Sequence, residues 1–175
     1  MRKHVIRGLA ILSAAVLIGL PLMGQSLSDT QERVRKALVT LPYYSVFDNL
    51  AFKVEGSKVI LLGQVVRPTL KSSAEAAVSR LEEIDSVENN LEVLPVSPSD
   101  DRLRDVTYRA IYGHPSFTRY VIRAVPPIHI IVKNGHIALE GVVASKSDKT
   151  FAGVLAKGVP GAFSVTNNLR VEKDS

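Results

Sequence analysis

The sequence predicts an α+β protein: two tandem two-layer domains, each in the order α-β-β-α-β, with two helices on one face of a three-stranded sheet. Three observations lead there. Lys58–Val66 (KVILLGQVV), a helical stretch and VENNLEV at Val87–Val93 recur as His136–Val143 (HIALEGVV), a second helical stretch and VTNNLRV at Val165–Val171. Gly63 and Gly141 are 78 residues apart, and so are Asn89 and Asn167, so one spacing holds across two strands and the helix between them. Such self-similarity marks a duplicated unit. Finally, the apolar residues of each copy alternate in some segments and recur at helical spacing in others, the signatures of strand and helix.

The first 26 residues are of a different kind. Arg2, Lys3 and Arg7 precede an apolar core, Leu9–Leu20, and small residues at Gly24 and Ser26 suit cleavage after Ser26. This is the layout of a secretory signal peptide, so residues 1–26 are expected to be removed. An uncleaved anchor is the other reading, because no charge lies between Arg7 and Asp29 and the window nearly spans a bilayer. The early Pro21 and the short apolar core favour cleavage.

Residues 27–94 are expected to form the first domain. Ser28 and Gln31 fit a capping box that opens its first helix. Val34, Leu38 and Leu41 give that helix an apolar stripe, and Pro42 follows it. An aromatic loop, Tyr43–Phe47, leads to a strand in which Leu50, Phe52 and Val54 alternate with Ala51, Lys53 and Glu55. Gly56-Ser57 turns the chain into a return strand with Val59, Leu61, Gly63 and Val65 on the same face. Pro68 starts the second helix, where its missing N–H costs nothing. Ala74, Ala77, Val78 and Leu81 form the buried stripe of that helix, and Val87, Leu91 and Val93 a third strand.

Residues 95–99 read as a Pro/Ser linker, stiff enough to give the domains a preferred mutual orientation. Residues 100–173 repeat the order. Leu103, Val106, Ala110 and Ile111 mark the first helix, and Ser116–Pro127 is a longer loop than its counterpart in the first copy. Ile128, Ile130 and Val132 alternate as a strand. Asn134-Gly135 signals a type I′ hairpin, both of whose central residues need positive φ. That turn pairs Lys133 with His136, Ile131 with Ala138 and His129 with Glu140. Ala152, Leu155 and Ala156 face the core from the second helix. With helices on one face only, the other sheet face is open. In the first copy it carries Ile60, Leu62 and Val66, more apolar than a free surface usually is, and it is expected to pack on the sister domain, another chain or a partner.

These residues together resemble the BON domain (bacterial OsmY and nodulation). The shared features are the element order, the mid-strand glycines Gly63 and Gly141, and the alanines Ala74, Ala77, Ala152 and Ala156. The V-x-N-x-L-x-V strands (Val87, Asn89, Leu91, Val93; Val165, Asn167, Leu169, Val171) complete the likeness. It covers nearly the whole chain after residue 26, as two copies; the first departs at Glu83, where the second has Gly161. The resemblance implies a cell-envelope protein, in a family proposed to bind phospholipid surfaces and to act in osmotic or envelope stress, and it brings no catalytic residues.

Charge and composition narrow the function. The chain has 22 basic and 17 acidic residues and no cysteine. Without cysteine there is no thiolate metal site, no Cys nucleophile and no lipoprotein anchor through an N-terminal cysteine. The charge is uneven. Leu27–Pro95 carries 8 basic and 10 acidic residues, and Val96–Ser175 carries 11 and 7, so the second half is the one suited to an anionic partner.

Candidate chemistry is sparse. Gly63 and Gly141 mark a bulge or the close approach of a helix. Asn89 and Asn167, with the parity of core residues, should bond to backbone groups of a neighbouring loop. His129 opposite Glu140 is an ordinary cross-strand pair. With His114 and His136 these residues lack metal-binding spacing. Gly158–Gly161 spells G-x-x-G, yet it joins a helix to a strand, unlike the nucleic-acid clamp of that spelling. No enzyme activity, cofactor, metal or nucleic acid is expected.

The loop His114–Pro127 (HPSFTRYVIRAVPP) carries the functional expectation. Phe117, Tyr120 and Ile122 would enter a headgroup region while Arg119 and Arg123 meet lipid phosphates. The expected function is therefore a non-enzymatic envelope module contacting anionic phospholipid and supporting envelope integrity. The alternative is a protein-interaction or assembly module, binding a partner or itself through the open sheet faces.

Overall fold

The computed structural model describes residues 22–172, with the side chains of the first helix described from Asp29 on. The signal-peptide expectation therefore falls outside the described residues except for Leu22–Ser26, which are helical. Helix α1 runs Leu22–Val39 and passes through Ser28, so the capping box expected there does not begin it. Capping chemistry ends a helix only where the preceding residues cannot continue it, and Leu22, Met23, Gln25 and Leu27 are all helix-compatible.

The first domain continues with β1 (Asn49–Glu55), β2 (Lys58–Val65), α2 (Pro68–Val78), β3 (Ser86–Asn89) and β4 (Glu92–Val93). The second has α3 (Pro98–Tyr112), α4 (Thr118–Val121), β5 (Ile128–Lys133), β6 (His136–Val143), α5 (Lys146–Lys157), β7 (Ser164–Asn167) and β8 (Arg170–Val171). In each sheet the long second strand is central. It pairs antiparallel with the first strand and parallel with the last two short ones. The two registers coincide: Leu50 faces Gly63 and Leu61 faces Asn89, as Ile128 faces Gly141 and Leu139 faces Asn167. The Asn134-Gly135 hairpin has the expected positive φ at both residues, 52° and 79°, and pairs His129 with Glu140.

Each core lies between the helices and one sheet face. Val34, Leu38, Val59, Leu61, Val65, Leu70, Ala74 and Val78 fill the first. Ile111, Phe117, Ile128, Ile130, Val132, Leu139, Ala152, Ala156 and Leu169 fill the second. Burying one such aliphatic or aromatic side chain contributes about 1.5–3 kcal/mol. Without disulfides these two clusters carry the fold.

The repeated glycines and asparagines have concrete jobs. Gly63 and Gly141 sit at φ 110° and 111°, and a Cβ on either would collide with the backbone carbonyl oxygen of Asn49 or Pro127. The close approach is thus by the chain entering the first strand, not by a helix. Each asparagine ties the third strand to the second helix rather than to a loop: Asn89 Nδ2 donates to the Lys71 carbonyl at 3.0 Å, and Asn167 Nδ2 to that of Lys149 at 2.7 Å. Their Oδ1 atoms accept from the N–H of Leu91 and Leu169, both at 3.2 Å, where the strand breaks into two short pieces. The amide side chain thus satisfies a buried N–H that the sheet ladder has left out.

The domains are joined by more than the linker, whose last residues Pro98-Ser99 already belong to α3. The aromatic loop of the first domain lies along the free edge of β5. Ile130 N–H donates to the Val46 carbonyl at 2.8 Å, and the Val46 side chain is buried in the second domain's core. Tyr44 stacks on His129 at 5.6 Å, Phe47 packs edge-on to Tyr108 at 6.2 Å, and Lys133 pairs with Glu92. A sheet edge that would otherwise offer unpaired backbone groups is thereby partly covered.

Candidate membrane-contact loop and inter-domain cleft

The stretch after α3 is not an extended loop. Pro115–Phe117 forms a 3-10 turn that runs directly into α4. Residues three apart then share a face, so Phe117 and Tyr120 both turn inward. Phe117 is fully buried, stacked on Phe151 with ring centroids 5.9 Å apart. Tyr120 is also buried. Its hydroxyl donates to Asp148 Oδ2 at 2.9 Å and accepts from the Ala144 N–H at 2.9 Å. The expectation that Phe117 and Tyr120 are membrane anchors is therefore corrected: they hold the turn to the core and to the start of α5. Alternation with Arg119 suggested an extended chain whose aromatics point outward; the helical turn reverses that.

The outer side of the same turn carries Arg119, Ile122 and Arg123, at i, i+3 and i+4. Ile122 is 84% exposed, and Val121 beside it 41%. Arg119 lies over the Tyr120 ring at 5.0 Å and is ion-paired with Asp148. Burial raises the Asp148 pKa, but hydrogen bonds from Ser145 and Tyr120 and the charge of Arg119 outweigh it and hold the carboxylate below its usual range. Arg123 has no hydrogen-bond or ion-pair partner among the described residues and lines a cleft.

That cleft, about 600 Å³, lies between the domains. Arg35 and Val39 of α1, Asn49–Phe52 of β1, Arg123, His129, Glu140 and Arg170 line it. Arg35 is held by Glu32 in two hydrogen bonds, of 2.7 and 2.5 Å. Tyr44 Oη lies 3.3 Å from His129 Nε2 at one end. Burial pushes the Tyr44 hydroxyl up to about 12, with the Asp48 charge adding to it. His129 is pushed below its ordinary value by burial, against the opposing pull of the Asp48 and Ser45 backbone and of the charges of Asp48 and Glu140. The ring is therefore a neutral packing element between the domains. Sequence reasoning missed Arg170 as a candidate, although one signal was available: Arg170 in VTNNLRV stands where VENNLEV has Glu92.

The model of the BON domain matches the chain twice, over residues 26–95 and 117–173. The chain belongs to the BON domain family. BON domains are non-catalytic binding modules, often of envelope proteins. No curated protein matches the chain. Among solved structures, two chains of CdsD, a structural protein of the type III secretion system of Chlamydia trachomatis, are similar at 13% and 15% identity. Both similarities cover 83% of this chain, and 98% and 94% of the CdsD chains, with a TM-score of 0.30, too low to bear on fold or partners. Among the described residues of this BON protein no helix is long and apolar enough to cross a membrane, and no cluster of metal-ligating side chains occurs.

Proposed function

We propose that this protein is an envelope module that binds anionic phospholipid surfaces reversibly through its second BON domain. In this reading residues 1–26 are a cleaved secretory signal, 27–94 and 100–173 are the two domains joined by residues 95–99, and the mature protein works in the periplasm or elsewhere in the envelope, supporting envelope integrity under osmotic or other stress. The observation that carries the reading is the pairing of exposed Ile122 and Val121 with Arg119 and Arg123 on one turn. An exposed aliphatic enters the headgroup boundary while cations beside it meet lipid phosphates. Each cation near an anionic surface contributes on the order of 1 kcal/mol. Two would bind weakly, and the excess of basic residues in the second half adds to them. Arg119 must share its charge with Asp148, so Arg123 is the stronger partner.

The double variant Ile122→Asp, Arg123→Glu tests this by co-sedimentation with phosphatidylglycerol vesicles. Binding should be lost, because attraction becomes repulsion and the apolar contact goes. Stability should change by no more than about 0.5 kcal/mol, as for most exposed sites. Unchanged sedimentation would remove this turn from the membrane contact. The second reading is a protein-interaction or assembly module, favoured by Ile60 and Leu62, which stay half-exposed on the open sheet face of the first domain.

A further inference from the structure

We propose that the cleft between the two domains is a binding site for a phosphate ester with an apolar body, its phosphate held by Arg123 and Arg170. The first ground is the state of the arginines. Arg33, Arg35, Arg104 and Arg119 are each ion-paired with a carboxylate, and Arg67 lies over the Tyr43 ring. Arg80, Arg102, Arg109, Arg123 and Arg170 have no such partner among the described residues, and of these five Arg123 and Arg170 line this one cleft. A planar guanidinium matches phosphate oxygens through paired N–H groups, so two free ones beside a cavity form an anion-binding arrangement.

The repeat supplies the second ground. Arg170 follows the same short strand as Glu92, each set beside the central strand opposite Val142 or Gln64. Glu92 is used structurally, in the ion pair with Lys133 between the domains. Its counterpart has the opposite charge and no carboxylate partner among the described residues. Glu140 is the carboxylate that lines the cleft, and its Oε1 accepts from Asn168 Nδ2 at 2.7 Å. With Arg35 neutralised by Glu32, two unpaired cations face one acid among the described residues that line the cleft, which makes that lining positive.

The walls define the rest of the ligand. Val39, Leu50, Phe52, Pro127 and Val142 give the cleft an apolar side that a bare phosphate would leave unused. Its volume of about 600 Å³ suits a small organic ligand. The site goes beyond surface contact, since it would take single molecules from solution as well as lipids at a membrane. The chemistry is shared by a phospholipid headgroup and a soluble phosphate ester.

The test uses the full chain, followed by NMR shifts. It is titrated with dihexanoyl phosphatidylglycerol below its micellar concentration, with glycerol phosphate and with inorganic phosphate. Saturable shifts are expected at Arg123, His129, Val142 and Arg170. The short-chain lipid should bind at least about tenfold more tightly than inorganic phosphate. Arg170→Ala should weaken lipid binding by about tenfold or more, the loss of one charge-assisted contact, with its melting temperature unchanged because Arg170 is exposed. Ile122→Asp should keep this binding while losing vesicles, which separates the cleft from the membrane contact. Glycerol phosphate lacks an apolar body and should bind more weakly than the short-chain lipid, and equal binding of the two would overturn the role of the apolar walls. Hexyl phosphate, added to the series, would make the occupant a soluble ester if it binds as well as the lipid, and a lipid headgroup if only the lipid binds. Equal binding of inorganic phosphate, no effect of Arg170→Ala, or shifts confined to the outer face of α4 would overturn the proposal.

Discussion

Gly141→Ala should destabilise the second domain by about 3 kcal/mol or more, and thermal unfolding followed by circular dichroism should show it as a fall in melting temperature of at least roughly 12 °C. The residue sits at φ 111°, outside the region any side chain adopts comfortably, and the new Cβ would meet the carbonyl oxygen of Pro127. Both colliding groups are backbone, so no rotamer change relieves the contact. The strand must leave its register with β5 or the chain before Ile128 must move. Gly63→Ala should behave alike against Asn49. Gly56→Ala is the control: its φ is also positive, 63°, but nothing lies within 4 Å of the added carbon, so the cost should be near 1 kcal/mol. Similar losses for Gly56 and Gly141 would mean that conformational strain alone matters and the close approach does not.

Phe117→Ala should cost about 3–5 kcal/mol, the usual toll of removing a fully buried aromatic. The cavity would open between Phe151 and Tyr120, under α4, and release the turn that presents Ile122 and Arg123. Ile122→Ala, by contrast, should leave stability within about 0.5 kcal/mol. Denaturant unfolding distinguishes them. Were Phe117 an interfacial anchor, its removal would spare folding and affect only vesicle binding. The two variants exchange the roles that an extended reading of the loop assigns to these residues.

The duplication explains why so much of the fold was legible in the amino-acid sequence. Gly63 with Gly141, and Asn89 with Asn167, appear at one spacing because each pair meets one geometric need: a strand crossing too close for a Cβ, and a strand break that needs an amide. Two local patterns misled. Ser28 looked like a helix start, yet nothing before it stops a helix. The residues Ser116–Ile122 are too few to show whether their period is that of a strand or a helical turn, and that choice decides whether Phe117 faces lipid or core. The inter-domain contacts were out of reach for a different reason. Val46 fills the core of the other domain and caps the edge of β5, and pairing between distant segments leaves no periodic trace in either. For the cleft, only the exchange of Glu92 for Arg170 was visible. That Arg123 and Arg170 have no partner among the described residues shows only in the folded chain.

The central claim, that the second domain meets anionic lipid, is tested most directly by the salt dependence of the unmodified protein's binding to vesicles. Sedimentation with phosphatidylglycerol and with phosphatidylcholine vesicles should be compared from low ionic strength to about 0.5 M, where the screening length falls well below its value of about 8 Å at physiological salt. The predicted result is binding to phosphatidylglycerol alone, falling steeply as salt rises. Equal binding to both lipids, or binding that salt leaves unchanged, would contradict the account and point instead to an apolar contact through the open sheet faces.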